Sequence, residues 1–452
     1  MSHTARISEL VDQRKDVLVG LSRQIWEFAE LRYEEYRSAE LLCQALETEG
    51  FSVERKVGGI ETAFVATAGN GGPVIGFLGE YDALPGLSQK ACVAKFEPLV
   101  EGGNGHGCGH NLLGVGALAA AVALRDYLKE KGLPGTVKYF GCPAEEGGGG
   151  KVRMAAAGVF NGVDVALTWH PSYVNYVFSS STLATQTLTF RFRGRSAHAA
   201  MSPHLGRSAL DAVELTNVGA NYLREHIPGD ARVHYAIIDT GGVAPNVVQA
   251  HAAVRYQIRS PKAAQVKDVT RRVCNIARGA ALMTETELEI EEGAAYLNVI
   301  PNTTIEAVMH RNLEQLGLPA YDEKERAFAR EIRATLSEEE RKVPRFPEIA
   351  ERELADRISP YRPLSPLSPI STDVGDVTWL VPTAQYRGAT WAVGTQAHTW
   401  QVVAQGVSSF AHKGMLHAGK VMAATGVDVV TCPELIEKAK AELHQALTSG
   451  LY

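Results

Sequence analysis

Three short stretches of the chain carry side chains that bind metal ions. Cys108 and His110 lie two residues apart in a glycine-rich loop, Glu145 and Glu146 are adjacent, and His170 follows later. A thiol, imidazoles and paired carboxylates supply metal ligands and one spare base, which together suffice to hydrolyse an unactivated bond. Each stretch alone also has a non-functional interpretation. Cys108 and His110 could be incidental residues of a flexible loop, Glu145 and Glu146 a solvated acidic loop, and His170 a packed histidine.

The predicted strands favour the metal site, because each is followed directly by one polar group. The pairs are 74–78 with Asp82, 136–140 with Glu145, and 163–167 with His170. In open α/β sheets, ligands bind outside the carboxyl ends of the strands. The sequence therefore predicts that these three side chains converge on one crevice.

The alternation of strands and helices predicts an α/β fold with a mostly parallel sheet. Apolar periodicity indicates helices at 7–30, 34–49 and 111–131. From about residue 186 the order becomes β-α-β-β-α-β, which is typical of a small α+β ferredoxin-like domain. We expect this domain, 186–295, to be inserted between two parts of a catalytic domain, 1–185 and 296–452.

Two late histidines compete to complete the ligand set. His398 follows a predicted apolar strand at 389–393, whereas His412 lies in a predicted amphipathic helix, so we favour His398. His106 is a further candidate ligand, although a supporting or helix-capping role fits it better.

Bulk properties exclude several classes of function. The net charge of −6 gives no reason to expect nucleic acid as a partner. No apolar run approaches the ~18 residues of a membrane span, and the start has no signal-peptide core. The six cysteines do not form a disulfide scaffold, so we expect a cytoplasmic enzyme with mostly free thiols.

Four motifs resemble the di-metal amidohydrolases of the aminoacylase/carboxypeptidase family. They are DALP at 82–85, GCGHN at 107–111, PAEEGG at 143–148 and WHP at 169–171. The similarity is greatest to the branch with a cysteine in place of the usual bridging aspartate. The resemblance runs along nearly the whole chain and implies a zinc-peptidase-like catalytic domain with an inserted lid and dimerisation domain.

The resemblance also implies roles for individual residues. Cys108 is expected to be shared by two divalent metal ions, Mn²⁺ or Zn²⁺, with Glu145 as the general base and Asp82 orienting the ligands. The remaining ligands implied are His110, Glu146, His170 and His398. Much of the family has a His-x-Asp pair where this chain has Glu80-Tyr81-Asp82, so we expect His110 to replace that histidine.

Three lid residues match substrate-binding positions of the family. His198 corresponds to a histidine that reaches into the partner's active site, which implies a homodimer or a heterodimer with a paralogous subunit. Asn246 and Arg259 correspond to residues that hold the substrate's carbonyl and carboxylate; a turn residue and a surface ion pair are their alternatives.

The implied substrates are N-acyl amino acids with a free carboxylate. Three further stretches, 202–212, 371–377 and 412–416, carry a closer similarity to a branch member acting on p-aminobenzoyl-glutamate. Other N-acyl amino acids such as indole-3-acetyl-aspartate, and a non-catalytic partner subunit, are the alternatives. Metal storage without turnover is a third.

Overall fold

The computed structural model describes residues 2–452, which form two compact units. Unit 1 comprises the described residues up to Ser180 together with Pro301–Ser365 and Val377–Thr448. Unit 2 comprises Ser181–Ile300, Pro366–Asp376 and Ser449–Tyr452. Each unit has its own apolar core.

The chain folds into α-helices and β-strands, which are numbered in chain order. The helices are α1 His3–Asp12, α2 Lys15–Phe28, α3 Tyr36–Thr48, α4 His110–Lys131, α5 Gly150–Ala156, α6 Ala209–Leu223, α7 Ala263–Thr284, α8 Thr303–Leu316, α9 Glu323–Ala334, α10 Glu338–Lys342, α11 Val374–Thr378, α12 Trp400–Gln405, α13 Ser409–Thr431 and α14 Pro433–Ser449. The strands are β1 Ser52–Arg55, β2 Phe64–Asn70, β3 Val74–Glu80, β4 Gly135–Cys142, β5 Val165–Ser172, β6 Tyr176–Phe178, β7 Ala184–Arg193, β8 Arg232–Asp239, β9 His251–Ser260, β10 Glu287–Tyr296 and β11 Thr383–Ala389.

Unit 1 is built on one sheet with the strand order β1-β2-β4-β3-β5-β11-β6. The four central strands, β4, β3, β5 and β11, run parallel to one another, while β1, β2 and β6 pair antiparallel at the edges. Parallel strands bring their carboxyl ends to the same edge of the sheet, which is where β3, β4 and β5 deliver the candidate site residues.

Helix α4 forms the centre of the unit 1 core, packed with α13 against the sheet. Of the described helices, it is the one with the length and composition of a membrane span, and 89% of that apolar window is buried inside the chain. A Cβ added at Gly116 would lie 2.6 Å from the indole Nε1 of Trp169, so glycine is required for this close approach. These features are those of a buried core helix.

Unit 2 is a four-stranded antiparallel sheet with the order β10-β7-β9-β8. Helices α6 and α7 bury Val213, Ala220, Val273 and Ala277 against one face of this sheet. This is the ferredoxin-like arrangement, so the predicted α/β fold class with a second, α+β element is confirmed.

Three local predictions were wrong. The helix at 7–30 is two helices, because Arg14 leaves the helical region at φ −107° and its guanidinium binds Glu49 and Asp126. The strand at 389–393 is instead β11, which ends at Ala389. His170 lies within β5 rather than after it. Apolar periodicity continues across the Arg14 break and cannot reveal it.

Candidate metal site

Cys108 belongs to two groups of potential metal ligands at once. The first group is Cys108, His110 and His170, and the second is Cys108, Glu146 and His398. Within each group the donor atoms lie within 4.8 Å of one another. The thiol therefore lies where two three-ligand sets meet, and the structure brings together all five residues predicted as ligands.

The loop before α4 needs glycine to present Cys108 and His110. Gly109 has a φ of +76°, and a Cβ added there would lie 2.9 Å from Pro171, directly after His170. A Cβ at Gly107 would lie 2.4 Å from a methyl group of Leu87. The carbonyl of Gly107 accepts a hydrogen bond of 2.7 Å from the amide of His398, which ties the two ligand-bearing loops together.

Asp82 orients ligands from both groups. One carboxylate oxygen lies 2.8 Å from Nδ1 of His110, and the other accepts a hydrogen bond of 2.8 Å from the amide of Glu146. Burial opposes a charge on His110, but Asp82 and then Cys108 outweigh it and raise the pKa of His110 well above its usual value. With Nδ1 occupied by Asp82, Nε2 of His110 is the atom directed at the candidate site.

His170 and His398 approach Cys108 and Glu146 from different elements. Nε2 of His170 on β5 lies 3.4 Å from the Cys108 sulfur, while its Nδ1 lies 2.8 Å from the carbonyl of Pro171. Nε2 of His398 lies 3.1 Å from a carboxylate oxygen of Glu146. Hydrogen bonding to Cys108, and then to Glu146, raises the pKa of His398 to about 10. The anionic surroundings that raise this pKa would equally attract a metal cation.

The chemistry of these donor atoms fits a bound metal ion. Nε2 of His110, Oε1 of Glu146 and Oε2 of Glu80 are buried and form no well-aligned hydrogen bond. His110 and Glu80 face each other at 3.3 Å, and Glu146 faces His398 at 3.1 Å. A bound cation would satisfy the ligand atoms that these contacts leave poorly paired. Thiolate, imidazole and carboxylate are together the ligands that divalent transition metals take.

Glu145 lies beside this cluster on a tightly turned loop. It forms a third group with Glu80 and His110, again with donor atoms within 4.8 Å. Ala144 has a φ of +58°, and its carbonyl accepts the amides of Gly148 and Gly149 at 3.1 and 2.8 Å. The two adjacent carboxylates therefore belong to different groups. Glu146 lies with Cys108 and His398, and Glu145 lies with Glu80 and His110.

Two buried acidic residues near the site were missed as functional candidates. The carboxylate of Glu80 lies 2.6 Å from the ammonium of Lys151 and 3.3 Å from Nε2 of His110. Glu35 accepts hydrogen bonds from the amide of Ala144 and the hydroxyl of Thr62. The end of β3 is a signal that could have identified Glu80, whereas nothing in the sequence around Glu35 indicates its burial.

The competing histidines lie outside the three groups. Nε2 of His106 lies 2.9 Å from the carbonyl of Ile25, so its ring packs against α2. His412 is buried in the first turn of α13, and burial lowers its pKa to about 4. The geometry therefore places His398, and not His412, beside the Cys108 thiol.

The three lid candidates all lie in unit 2. His198 pairs with Val247 in an isolated bridge, and the amide of Ala199 donates to the carbonyl of Asn246, so His198 and Asn246 are neighbours on exposed loops. Arg259 lies on β9, opposite Thr185 and Arg232, and its buried Nε has no hydrogen-bond partner.

The chain is similar along nearly its whole length to known hydrolases. The chain is 47% identical to the B subunit of p-aminobenzoyl-glutamate hydrolase of Escherichia coli, over 98% of this chain and 95% of that protein. It is 32% identical to the Xaa-Arg dipeptidase of Mus musculus, over 97% of this chain and 91% of that protein. A solved structure, described as a dinuclear metal binding peptidase from the M20 family of Bacillus subtilis, matches with a TM-score of 0.58 at 17% identity, covering 93% of this chain and 99% of that one. These findings confirm the predicted resemblance, including the closer similarity to a protein named for p-aminobenzoyl-glutamate.

A family model confirms the wider relationship. The model for Peptidase family M20/M25/M40 matches residues 76–343, which include Cys108, His110, Glu145, Glu146 and His170. The chain is therefore a hydrolase that belongs to Peptidase family M20/M25/M40.

Proposed function

We propose that this hydrolase cleaves the amide bond of N-acyl amino acids, with p-aminobenzoyl-glutamate as its principal substrate and p-aminobenzoate and glutamate as products. The observation that carries the proposal is the position of Cys108 in two ligand groups, with Glu145 beside them. The similarity to the Escherichia coli hydrolase over nearly the whole chain supports the choice of acyl group.

We assign two divalent metal ions to the two ligand groups. Cys108 would be shared, His110 and His170 would complete one set, and Glu146 and His398 the other. When bound, such ions polarise an amide carbonyl and lower the pKa of water toward ~7. The thiolate favours Zn²⁺, and the carboxylate with imidazoles also suits Mn²⁺.

Glu145 is the general base in this proposal. Its carboxylate takes a proton from the attacking water and delivers it to the departing amide nitrogen, which is the usual task of such a group. The donor atom of Glu145 lies within 4.8 Å of those of Glu80 and His110, which is beside the proposed metal ligands. The resemblance to the di-metal amidohydrolases also implies a base at this position.

Unit 2 would supply the substrate-binding residues. The exposed His198 and Asn246 suit the stabilisation of a developing oxyanion, because they can donate hydrogen bonds. The Arg259 guanidinium suits the α-carboxylate, because its planar fork binds carboxylates through two parallel hydrogen bonds. We assign 186–295 as the lid and 1–185 with 296–452 as the catalytic domain.

We also propose that the lid pairs with a second subunit, either an identical chain or a paralogue. Helix α6 exposes Leu215, Val218 and Tyr222, which are spaced to lie on one face. Strand β8 is an edge strand with Tyr235 and Ile237 exposed. An exposed edge with apolar side chains is a surface that proteins normally cover. A cytoplasmic location fits the six free cysteines.

A substrate panel tests the proposal. The purified chain, with Mn²⁺ or Zn²⁺ added, should hydrolyse p-aminobenzoyl-glutamate with a higher kcat/KM than indole-3-acetyl-aspartate or an Xaa-Arg dipeptide. Equal or better turnover of either competitor would reassign the substrate. Metal binding without turnover of any of the three would contradict an enzymatic role for the chain alone.

A further inference from the structure

Arg387 lies next to His170 in the sheet of unit 1. Strands β11 and β5 are parallel, and Arg387 is the register partner of His170. Their chain neighbours Tyr386 and Trp169 are also partners and are buried in the core beneath α4 and α13. Because side chains alternate along a strand, Arg387 and His170 extend from the opposite face, about 4.8 Å apart at the backbone.

The positive charge of Arg387 has no acidic partner within residues 2–452. Its guanidinium forms no ion pair with a described carboxylate, and its buried Nε has no hydrogen-bond partner. The contact it does make is with an aromatic ring: its guanidinium carbon lies 5.2 Å from the centroid of Phe178. A half-buried guanidinium without a carboxylate partner, beside a candidate metal ligand, is available to bind an anionic ligand.

The proposed metal site is a second source of positive charge close to Arg387. Two divalent ions at the Cys108 groups would add positive charge on the same side of the sheet as Arg387. The Cys108 thiol and the carboxylates of Glu145 and Glu146 would offset much of the metal charge. A substrate carboxylate near Arg387 would still be attracted by the guanidinium and by the metals together.

We propose that Arg387 recognises the side-chain carboxylate of an acidic amino acid in the substrate. This inference rests on the proposed function, in which Arg259 takes the α-carboxylate and leaves a second carboxylate of glutamate to be recognised. The Phe178 ring holds the guanidinium plane, and the planar fork can then bind a carboxylate with two hydrogen bonds.

Hydrolysis of two nearly isosteric substrates tests the inference. In wild type and Arg387→Met, kcat/KM is measured with p-aminobenzoyl-glutamate and with p-aminobenzoyl-glutamine. We expect Arg387→Met to lower kcat/KM for p-aminobenzoyl-glutamate about 30-fold or more, mainly by raising KM. We expect kcat/KM for p-aminobenzoyl-glutamine to change less than about 3-fold. The exposed Arg357→Met, which removes the same charge elsewhere in unit 1, should change neither.

Further measurements separate recognition from folding. Arg387→Lys keeps the positive charge but loses the planar guanidinium that binds a carboxylate with two hydrogen bonds. It should therefore give an intermediate loss of kcat/KM with the glutamate substrate and no loss with the glutamine substrate. Calorimetric binding of free glutamate to the metal-loaded protein should weaken in Arg387→Met, with an unchanged melting temperature and metal content. Equal losses with both substrates, or unchanged glutamate binding, would overturn the inference. Failure of the wild type to hydrolyse either substrate would instead overturn the proposed function.

Discussion

Two candidate ligands of unit 1, His110 and Glu146, are oriented by a buried side chain, whereas His198 of unit 2 is oriented by backbone groups. In unit 1, Asp82 has a fully buried carboxylate that contacts the His110 ring and the Glu146 amide. In unit 2, His198 is exposed, and its Nδ1 accepts hydrogen bonds from the amides of Ala200 and Met201.

This difference indicates two kinds of function. A buried network with fixed donors suits metal ions, which demand a set geometry before substrate arrives. Exposed residues on loops suit contacts that form only when a substrate or partner is present. Substitutions in unit 1 should therefore change metal content or chemistry, and those in unit 2 should change catalysis with metal content intact.

The largest effect is expected for Cys108→Ala, because this change removes the ligand proposed for both metals. Activity should fall by about 10⁴-fold or more, with metal content well below that of wild type. Elemental analysis and kcat/KM provide the measurements. Cys108→Asp, which restores a bridging ligand, should retain metal, and the exposed Cys92→Ser should resemble wild type. Full metal content in Cys108→Ala would refute the shared ligand.

Glu145→Ala should remove the base while keeping the metals. Activity should fall by about 10³-fold, within the range for general acid–base groups. Metal content measured in the same preparation should equal that of wild type. The adjacent Glu146→Ala is the matched control, since it should lose metal as well as activity. Full activity of Glu145→Ala would exclude it as the base.

His198→Ala and Asn246→Ala test the contrasting region. Each should lower kcat by about 10²-fold, the effect of removing one oxyanion donor, without changing metal content. Steady-state kinetics and elemental analysis measure both properties. Loss of metal in either variant would remove the distinction between the two units.

The sequence was most informative where strand ends and metal-ligand chemistry coincide. The strands preceding Asp82 and Glu145 and the ferredoxin-like order of unit 2 followed from local patterns. The preference for His398 over His412 was argued from a strand at 389–393, which the structure does not contain. The ligand role of His398 remains a prediction, although its ring lies against Glu146.

Other features depend on contacts between residues far apart in the chain, so local sequence patterns could not predict them. The carboxylate of Glu35 is contacted by the Ala144 amide, 109 residues away in the chain, and by the Thr62 hydroxyl. Lys151 is fully buried because Glu80 matches its charge, yet lysine is ordinarily a surface residue. The strand expected at 389–393 failed because β11 begins earlier, with Thr383 pairing with Ala166.

Asp82→Asn should have a smaller effect than the ligand substitutions. The amide group keeps the size of the side chain but cannot accept from both His110 and the Glu146 amide. Metal affinity should therefore fall by about 10–100-fold, as is typical when a group that orients a ligand is lost. Competition with a chelator measures this affinity, and an unchanged value would contradict the orienting role.

The smallest effect concerns the pH dependence of stability. Burial, and then the nearby Asp82 charge, raise the pKa of Glu35 to about 7. Because the folded pKa lies above the ordinary value of about 4.3, this carboxyl favours folding below pH ~4.3, and that contribution is lost as pH rises through about 7. Glu35→Gln should avoid this loss and melt about 2–4 °C above wild type at pH 8. Identical melting curves at pH 5 and pH 8 for the two proteins would contradict it.

The central claim is that one thiolate serves two metal positions. Metal K-edge X-ray absorption on the fully loaded protein measures this directly, combined with elemental analysis. The account predicts two metals per chain and one sulfur neighbour for each, at about 2.3 Å for zinc. A single metal per chain, or an average well below one sulfur per metal, would contradict it.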